Sequence, residues 1–286
     1  MYLSSDGFGL PATTVTDRPR ITSLLEKGSA AVNEDELLLG EHTYGVFDGA
    51  TSLVSQTFTS GQTGGKLAAR ICKAVFADET RGLEEAGEAA NLEIRRQCSE
   101  AGVNVLCKEE LWSCSAAVVK LYSNHFDWCQ IGDCQVLVIY EDNSYSLLGR
   151  TPDQDKETLR LWQQTDASSA GKVMEVMANE IIEVRRRTNI DFGVFNGEPE
   201  AMAFLRGGSE SLIGVKNLLL FSDGLLLPQE DPGAFPEWRY FITLFGRGGL
   251  SEIRSHVRTL QLEDLNCRKY PRFKLHDDIS GVAISF

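Results

Sequence analysis

Aspartates at the ends of apolar runs constrain the fold of this chain more than any other feature of its sequence. Four runs end at an aspartate or begin just after one: YGVFDG at Asp48, QIGDCQ at Asp133, LLLFSDG at Asp223, and Asp277-Asp278 before ISGVAIS. A carboxylate at a strand end is projected from a rigid element. If these strand ends meet at one edge of a sheet, they would form an all-oxygen cage suited to Mg²⁺ or Mn²⁺.

Each of these aspartates also has a plainer interpretation. Asp-Gly after a strand usually forms an ordinary turn, and this explanation covers Asp48-Gly49 and Asp223-Gly224 taken singly. The same glycines would let the backbone turn sharply and approach an ion closely. The two interpretations separate only when the motifs are considered together along the chain.

The apolar runs predict an antiparallel β structure. Residues 36–47 are predicted to form a hairpin that ends at Asp48. Residues 114–148 contain four strand-like segments, CSAAVVKLY, FDWCQI, CQVLVIY and SYSLL, and the short polar turns between them are typical of a β-meander. The runs NLLLFS (217–222) and ISGVAISF (279–286) predict buried strands.

Helical spacing predicts helices over residues 66–77, 83–108 and 250–260. Residues 152–187 are mainly helical in composition, and residues 189–208 read as an irregular loop. No internal repeat or low-complexity linker is visible, so a single α+β domain over the whole chain is the simplest organisation.

Charge and size limit the functional classes. The 286 residues are 42% hydrophobic, which is enough for a sizeable core. The net charge of −13 and pI of about 4.8 argue against binding to nucleic acid and against docking on an anionic membrane. We expect a monomer whose partners are basic or bridged by cations.

The cysteines and the N-terminal residues indicate a cytoplasmic protein. The seven cysteines form an odd set without CxxC spacing, which favours reduced thiols over a zinc site or a disulfide framework. The N-terminus lacks the pattern of a signal peptide, and no apolar stretch approaches the roughly 20 residues of a membrane helix.

The motif order resembles that of the type 2C metal-dependent serine/threonine protein phosphatases, in a divergent form similar to bacterial members. The resemblance covers roughly Gly28 to Phe286. The matching motifs are Asn33-Glu34-Asp35, Val46-Phe47-Asp48-Gly49, Ser113-Cys114-Ser115-Ala116, Ile131-Gly132-Asp133-Cys134, Phe221-Ser222-Asp223-Gly224 and Asp277-Asp278-Ile279-Ser280.

The resemblance implies a four-layer αββα sandwich, with two central, mostly antiparallel sheets flanked by helices and a binuclear Mg²⁺/Mn²⁺ centre at one end. By this resemblance Asp48 would bridge both ions, and the carbonyl of Gly49 would bind one. Asp223 and Asp277 would bind one ion as well. Two ions roughly 4 Å apart would activate a bridging water for in-line attack on phosphorus, without a side-chain nucleophile.

The resemblance also assigns supporting acidic residues. Glu34 and Asp35 would hold metal-bound waters, and Asp133 resembles the ligand of a third, weaker metal site. Asp278 stands where asparagine is usual and would add negative charge. With Asp48, Asp223 and Asp277, the pair Glu34 and Asp35 completes the expected catalytic set.

Two residues that the family uses are missing here. The position of its phosphate-binding arginine corresponds to about Ala30, with Lys27 the nearest cation. The histidine that follows Asp-Gly in eukaryotic members is Ala50, followed by Thr51 and Ser52. Residues 189–208, where relatives carry the flap bordering the active site, do not match the family pattern.

Several other polar residues have two interpretations. The run Arg185-Arg186-Arg187 could capture a phosphate or form a solvated helix end. His276 could support Asp277 or be simply solvated. Cysteines in the strands usually act as small core hydrophobes.

Three functions fit these patterns. The leading hypothesis is Mg²⁺/Mn²⁺-dependent hydrolysis of phosphoserine or phosphothreonine on a protein, in signalling. The absence of the usual residues at Ala30 and Ala50 instead suggests a pseudophosphatase that binds or senses. The third function is hydrolysis of a small phosphorylated metabolite. Retention of so many like charges, each costly to bury without a cation, favours an enzyme.

Overall fold

Two five-stranded antiparallel sheets, stacked face to face, form the centre of the structure. The computed structural model describes residues 18–50, 61–149, 154–165 and 173–286. The strands in these ranges are β1 (Arg20–Glu26), β2 (Glu36–Leu39), β3 (Thr43–Gly49), β4 (Cys114–Leu121), β5 (His125–Ile131), β6 (Gln135–Tyr140), β7 (Tyr145–Leu148), β8 (Arg206–Ser211), β9 (Val215–Phe221) and β10 (Ile279–Ser285).

The α-helices of the described ranges lie outside the two sheets. They are α1 (Gly64–Phe76), α2 (Leu83–Glu100), α3 (Lys156–Gln164), α4 (Val173–Val176), α5 (Ala178–Arg186) and α6 (Trp238–Leu262). None of them is long and apolar enough to cross a lipid bilayer.

Apolar side chains join the layers. The first sheet has the order β1-β10-β9-β6-β7 and the second has the order β2-β3-β4-β5-β8. Val46 and Val119 of the second sheet share a buried cluster with Leu218, Leu220 and Val282 of the first. Helices α1 and α2 cover the outer face of the second sheet, and α6 covers the outer face of the first. This is the predicted αββα sandwich, and the fold class is confirmed.

The segment predicted as a meander divides between the two sheets. Strands β4 and β5 pair in the second sheet, whereas β6 and β7 pair in the first. The chain crosses at Gly132-Asp133, where Gly132 has φ +77°. A β-carbon at Gly132 would lie 2.1 Å from Ser115 Oγ, so this crossing requires glycine. The apolar pattern predicts the strands, but it does not reveal which sheet receives them.

Strand β8 begins within residues 189–208, which the sequence predicted as an irregular loop, and extends beyond them to Ser211. Its residues, RGGSES, are all exposed, and it pairs with β5 at the edge of the second sheet. An edge strand without an apolar face lacks the alternation that strand prediction depends on. Strand β1, from Arg20 to Glu26, also lacked a clear signal.

Glycines explain where two helices differ from the sequence prediction. Helix α2 ends at Glu100 rather than near residue 108, because Gly102 adopts φ +76° and stops the helix. Helix α6 begins at Trp238, well before residue 250, and it is kinked by the non-helical Gly248 and Gly249.

Helices α3, α4 and α5 form a small unit against the loop that precedes β10. Trp162, Met177 and Ile181 share a buried cluster with Cys267. Trp162 Nε1 donates to the carbonyl of Cys267 at 2.6 Å. The predicted helical character of residues 152–187 thus holds over the described parts of that range; residues 152–153 and 166–172 lie outside them.

Candidate metal centre

Four aspartates from both sheets converge at one end of the sandwich. Asp48 lies on β3, and Asp133 lies in the crossing between β5 and β6. Asp223 directly follows β9, and Asp277 precedes β10. All four side chains retain some exposure to solvent. The cluster therefore has an open face through which a ligand could enter.

Mutual repulsion in this cluster is strong. Burial raises the pKa of Asp48 well above its usual range, and the carboxylates around it raise it further: Asp35, Asp223, Asp133 and Asp277. Burial and the charges of Asp133 and Asp277 likewise raise the pKa of Asp223. A side-chain interaction with Asp48 partly offsets this rise in the pKa of Asp223.

Asp35 forms the closed back of the cluster. Its side chain is 1% exposed, and its Oδ2 accepts a hydrogen bond from Ser222 Oγ at 2.8 Å. Its Oδ1 is buried and has no hydrogen-bond partner. Burial, with the charges of Asp277 and Asp278, raises the pKa of Asp35 to about 7. Ser222 immediately precedes Asp223, so Asp35 supports the strand end from behind.

Glu34 lies where two glycines let the backbone segments meet. Glu34 Oε1 accepts a hydrogen bond of 2.5 Å from Thr63 Oγ1, and Thr63 also caps the N-terminus of α1. A β-carbon at Gly49 would lie 2.2 Å from the carbonyl oxygen of Gly65, and one at Gly65 would lie 2.7 Å from Glu34 Oε1. Only glycine at both positions permits this approach.

Asp278 fastens the N-terminal acidic loop to the start of β10. Its Oδ1 accepts from the backbone N–H of Gly28 at 2.7 Å, and its Oδ2 accepts from that of Glu34 at 2.8 Å. The side chain is 3% exposed. The charge of Asp278 acts on Asp35, as the sequence predicted, and the side chain has a bridging role as well.

Lys274 extends into the acidic cluster. Its Nζ donates to Asp277 Oδ1 at 2.8 Å, and its side chain is 19% exposed. Burial alone would lower the pKa of Lys274, but the carboxylates of Asp277, Asp48 and Glu34 outweigh it and raise that pKa. A protonated lysine therefore partly offsets the charge of the centre.

Cys134 is a near neighbour of two of the aspartates. Its Sγ and one carboxylate oxygen each of Asp48 and Asp133 lie within 4.8 Å of one another. Burial and the charges of Asp48 and Asp133 raise the pKa of Cys134 well above its usual range. A neutral thiol is a poor ligand for a hard cation, so the oxygen atoms are the chemically suitable donors.

Asp133 is oriented by glutamines. Gln154 Nε2 donates to its Oδ2 at 3.0 Å, and Gln135 Nε2 donates to its backbone carbonyl at 2.8 Å. The carboxylate therefore has a defined position beside Asp48 and Asp223.

A polar pocket adjoins the cluster at Ala50. Its lining includes Gly65, Lys108, Ser113 and Arg185. Arg185 Nη1 donates to Ser113 Oγ at 3.2 Å, and the carbonyl of Ser113 accepts from the N–H of Ala50 at 3.0 Å. Arg185 thus approaches the end of β3 from α5. Thr51 and Ser52 lie outside the described residues.

The rest of the arginine run is directed elsewhere. Arg186 pairs with Glu109 at 3.2 Å and Glu183 at 2.7 Å, and Arg187 pairs with Asp191. These pairs fit the interpretation of a solvated helix end, whereas Arg185 lines the pocket beside Ala50.

His276 lies next to Asp277 in sequence, yet its ring contacts α6. His276 Nδ1 is 2.9 Å from Gln261 Oε1. Burial and the charges of Arg258 and Arg272 lower its pKa, which favours the neutral ring.

Lys274 and Ser222 are the site residues that the sequence did not single out. Lys274 stands three residues before Asp277 in the run KLHDD, where a cation beside paired acids was the available signal. Ser222 was visible only as the residue before Asp223. Its bonds to Asp35 and to the N–H of Ser280 join distant segments, and no local pattern records them.

Three solved structures share this fold. The Mycobacterium tuberculosis serine/threonine phosphatase PstP is 17% identical, with a TM-score of 0.57 and coverage of 94% of this chain and 98% of that chain. The Staphylococcus aureus serine/threonine phosphatase Stp1 is 14% identical, with a TM-score of 0.57 and coverage of 99% of both chains. PppA of Pseudomonas aeruginosa, described as a key regulatory component of T6SS, is 15% identical, with a TM-score of 0.54 and coverage of 94% and 99%.

A further structure, the catalytic domain of PstP in complex with two manganese ions, is 16% identical, with a TM-score of 0.57 and coverage of 93% of this chain and 97% of that chain. No protein-family model and no curated protein matches the sequence. The fold is thus that of the bacterial type 2C serine/threonine phosphatases, and the predicted resemblance is confirmed at this level.

Proposed function

We propose that this chain is a metal-dependent phosphatase that hydrolyses phosphoserine and phosphothreonine on protein substrates. One observation carries the proposal: Asp48, Asp223 and Asp277, from distant parts of the chain, lie near enough to one another at one partly open end of the sandwich that their charges repel. An arrangement this unfavourable would be relieved by divalent cations.

The donor atoms fit Mg²⁺ or Mn²⁺. Carboxylate and carbonyl oxygens are the ligands that these hard cations prefer, and the one nearby thiol is held neutral. The buried and unpartnered Oδ1 of Asp35 marks a position where positive charge is lacking. We assign Asp48, the carbonyl of Gly49, Asp223 and Asp277 as the residues that would hold two ions.

Supporting roles fall to the remaining acids. Glu34 and Asp35 would orient water around the ions, and Asp133 would serve a third, weaker ion. When bound, divalent ions lower the pKa of a water nucleophile and offset charge on the phosphoryl oxygens. The chain itself contributes rigid placement, because Asp48 and Asp223 stand at strand ends and Ser222 fixes Asp35 behind them.

Turnover of p-nitrophenyl phosphate with and without Mn²⁺ tests the proposal. We expect activity that is lost on chelation, restored by Mn²⁺, and reduced about a hundredfold or more in Asp48→Asn and Asp223→Asn. Glu263→Gln, at an exposed acid directly after α6, is the matched control and should leave turnover unchanged. Activity that survives both metal removal and both substitutions would refute the proposal.

A pseudophosphatase is the second candidate, and the ion pair between Lys274 and Asp277 favours it because the pair already neutralises part of the cluster. It predicts negligible hydrolysis at millimolar Mn²⁺, with partner binding that survives Asp48→Asn. Rates on a panel of phosphopeptides and sugar phosphates would separate a protein phosphatase from an enzyme acting on small metabolites.

A further inference from the structure

Lys274 places an ammonium group against the acidic cluster. Its Nζ is 2.8 Å from Asp277 Oδ1, and the charges of Asp48 and Glu34 also act on it. Lys269, on the same loop, is a contrasting lysine: its side chain is 51% exposed and it pairs with Glu230 at 3.7 Å. Lys274 alone of these two is directed at the acidic cluster.

The loop that carries Lys274 is held on both sides. Arg272 Nε donates to the carbonyl of Leu275 at 3.0 Å, and Arg272 Nη2 donates to that of Gln261 on α6 at 2.9 Å. Arg258 Nη2 donates to the carbonyl of Asp277 at 2.8 Å. The ammonium group is therefore presented from a fixed backbone, as a preorganised binding group requires.

The adjacent segment of the described chain, residues 27–31, offers no comparable cation. The N–H of Ser29 bonds to the carbonyl of His276 at 2.8 Å, so this segment runs beside the loop of Lys274. Lys27 is exposed and contacts only the carbonyl of Ala31, at 3.4 Å. Residues 27–31 therefore direct no cation at the cluster that could join Lys274 and the proposed ions in offsetting the charge of a dianionic phosphoryl group.

We propose that Lys274 is the phosphoryl-binding residue of this centre: it pairs with Asp277 in the metal-free chain and donates to a phosphoryl oxygen when ions occupy the carboxylates. The assignment rests on the proposed metal centre and names the side chain that binds its substrate. Lysine suits the role because its ammonium is a compact charge with three donors on a flexible stem, which can exchange one oxygen partner for another.

Titration calorimetry with inorganic phosphate on the Mn²⁺-loaded protein tests this assignment. Lys274→Met should weaken phosphate binding about tenfold or more, the loss expected when a charge-assisted hydrogen bond is removed. Lys274→Arg should restore most of the affinity, and Lys269→Met, the same change on the exposed lysine, should bind phosphate like the wild type. Mn²⁺ binding by Lys274→Met is measured in parallel and should persist.

Two results would overturn the assignment: phosphate affinity unchanged in Lys274→Met, or loss of Mn²⁺ binding in that variant, which would make Lys274 a support for Asp277. If the wild type binds Mn²⁺ and phosphate through Lys274 yet hydrolyses no phosphoester, the assignment stands and the proposed function fails. The two proposals are thereby tested separately.

Discussion

The pKa values of two buried aspartates, Asp264 and Asp35, are shifted in opposite directions. Burial opposes ionisation of Asp264, but the N–H groups of Tyr270 and Arg268 and the guanidinium of Arg272 outweigh it and lower its pKa. Asp35 is also buried, yet its side chain accepts a hydrogen bond from the Ser222 hydroxyl and faces other carboxylates, and burial with these charges raises its pKa to about 7. The fold thus gives the structural acid Asp264 hydrogen-bond donors and a compensating cation, whereas Asp35 in the proposed metal centre lacks a comparable set.

The largest expected effect lies on the structural side of this comparison. Asp264→Asn should lower the free energy of unfolding by about 3 kcal/mol, because it leaves Arg272, whose side chain is only 13% exposed, without its carboxylate partner. Asp48→Asn should instead raise the stability of the metal-free chain, since it removes repulsion. Urea unfolding in chelator measures both, with Glu263→Gln as control; equal midpoints for all variants would break the comparison.

The pH dependence of stability tests the Asp35 side of this comparison. A folded pKa of about 7 against a usual value of 3.8 means that Asp35 keeps its proton in the folded state. Below about pH 4, Asp35 is protonated in both the folded and the unfolded chain, and its contribution to stability does not change with pH. As pH rises from about 4 through 7, the metal-free chain should lose stability. Melting temperatures between pH 4 and 8 should show this decline, and Mn²⁺ or Asp35→Asn should reduce it. A flat profile would contradict the prediction.

A smaller effect is expected at the bridge made by Asp278. Asp278→Asn keeps one acceptor oxygen but turns an amide N–H toward Gly28 N or Glu34 N, where two donors would then face each other. We expect a loss of about 1–3 kcal/mol in unfolding free energy. Unchanged stability would show that the carboxylate is not needed to fasten the acidic loop.

The smallest effect concerns the arginine run. Arg185 lines a pocket beside the candidate site, whereas Arg186 lies on the surface. Arg185→Ala should lower kcat/KM on a phosphopeptide about tenfold, since its guanidinium lines the pocket beside Ala50. Arg186→Ala removes only exposed pairs with Glu109 and Glu183 and should leave kcat/KM unchanged. Equal effects of the two substitutions would exclude a specific role for Arg185.

Much of the scaffold was predictable because its strands carry continuous apolar runs. The hairpin of β2 and β3, the strands β9 and β10, and helix α1 follow directly from hydrophobic periodicity. Strand β8 was missed because it has no buried face, and the length of α6 was underestimated because of its paired glycines. Local pattern could not assign β4 to β7 to two separate sheets.

The acidic residues of the candidate site were visible for a similar reason. Asp48 and Asp223 stand in Asp-Gly pairs after apolar strands, a signal contained within a few residues. The hydrogen bonds from Gly28 and Glu34 to Asp278 join residues that are 250 and 244 positions apart in the sequence. The contact of Lys274 with Asp277 depends on a loop fixed by Arg272. Such long-range contacts leave no mark in the spacing of nearby residues.

The crossing at Gly132 has a mechanical consequence. Asp48 belongs to one sheet, Asp223 and Asp277 extend from the other, and Asp133 lies on the strand-to-strand link between them. Cations bound by these side chains would link the two sheets to each other. Binding of the cations would then reduce the motion of the two sheets relative to each other. Backbone amides along β3 and β9 would exchange their hydrogens with solvent more slowly.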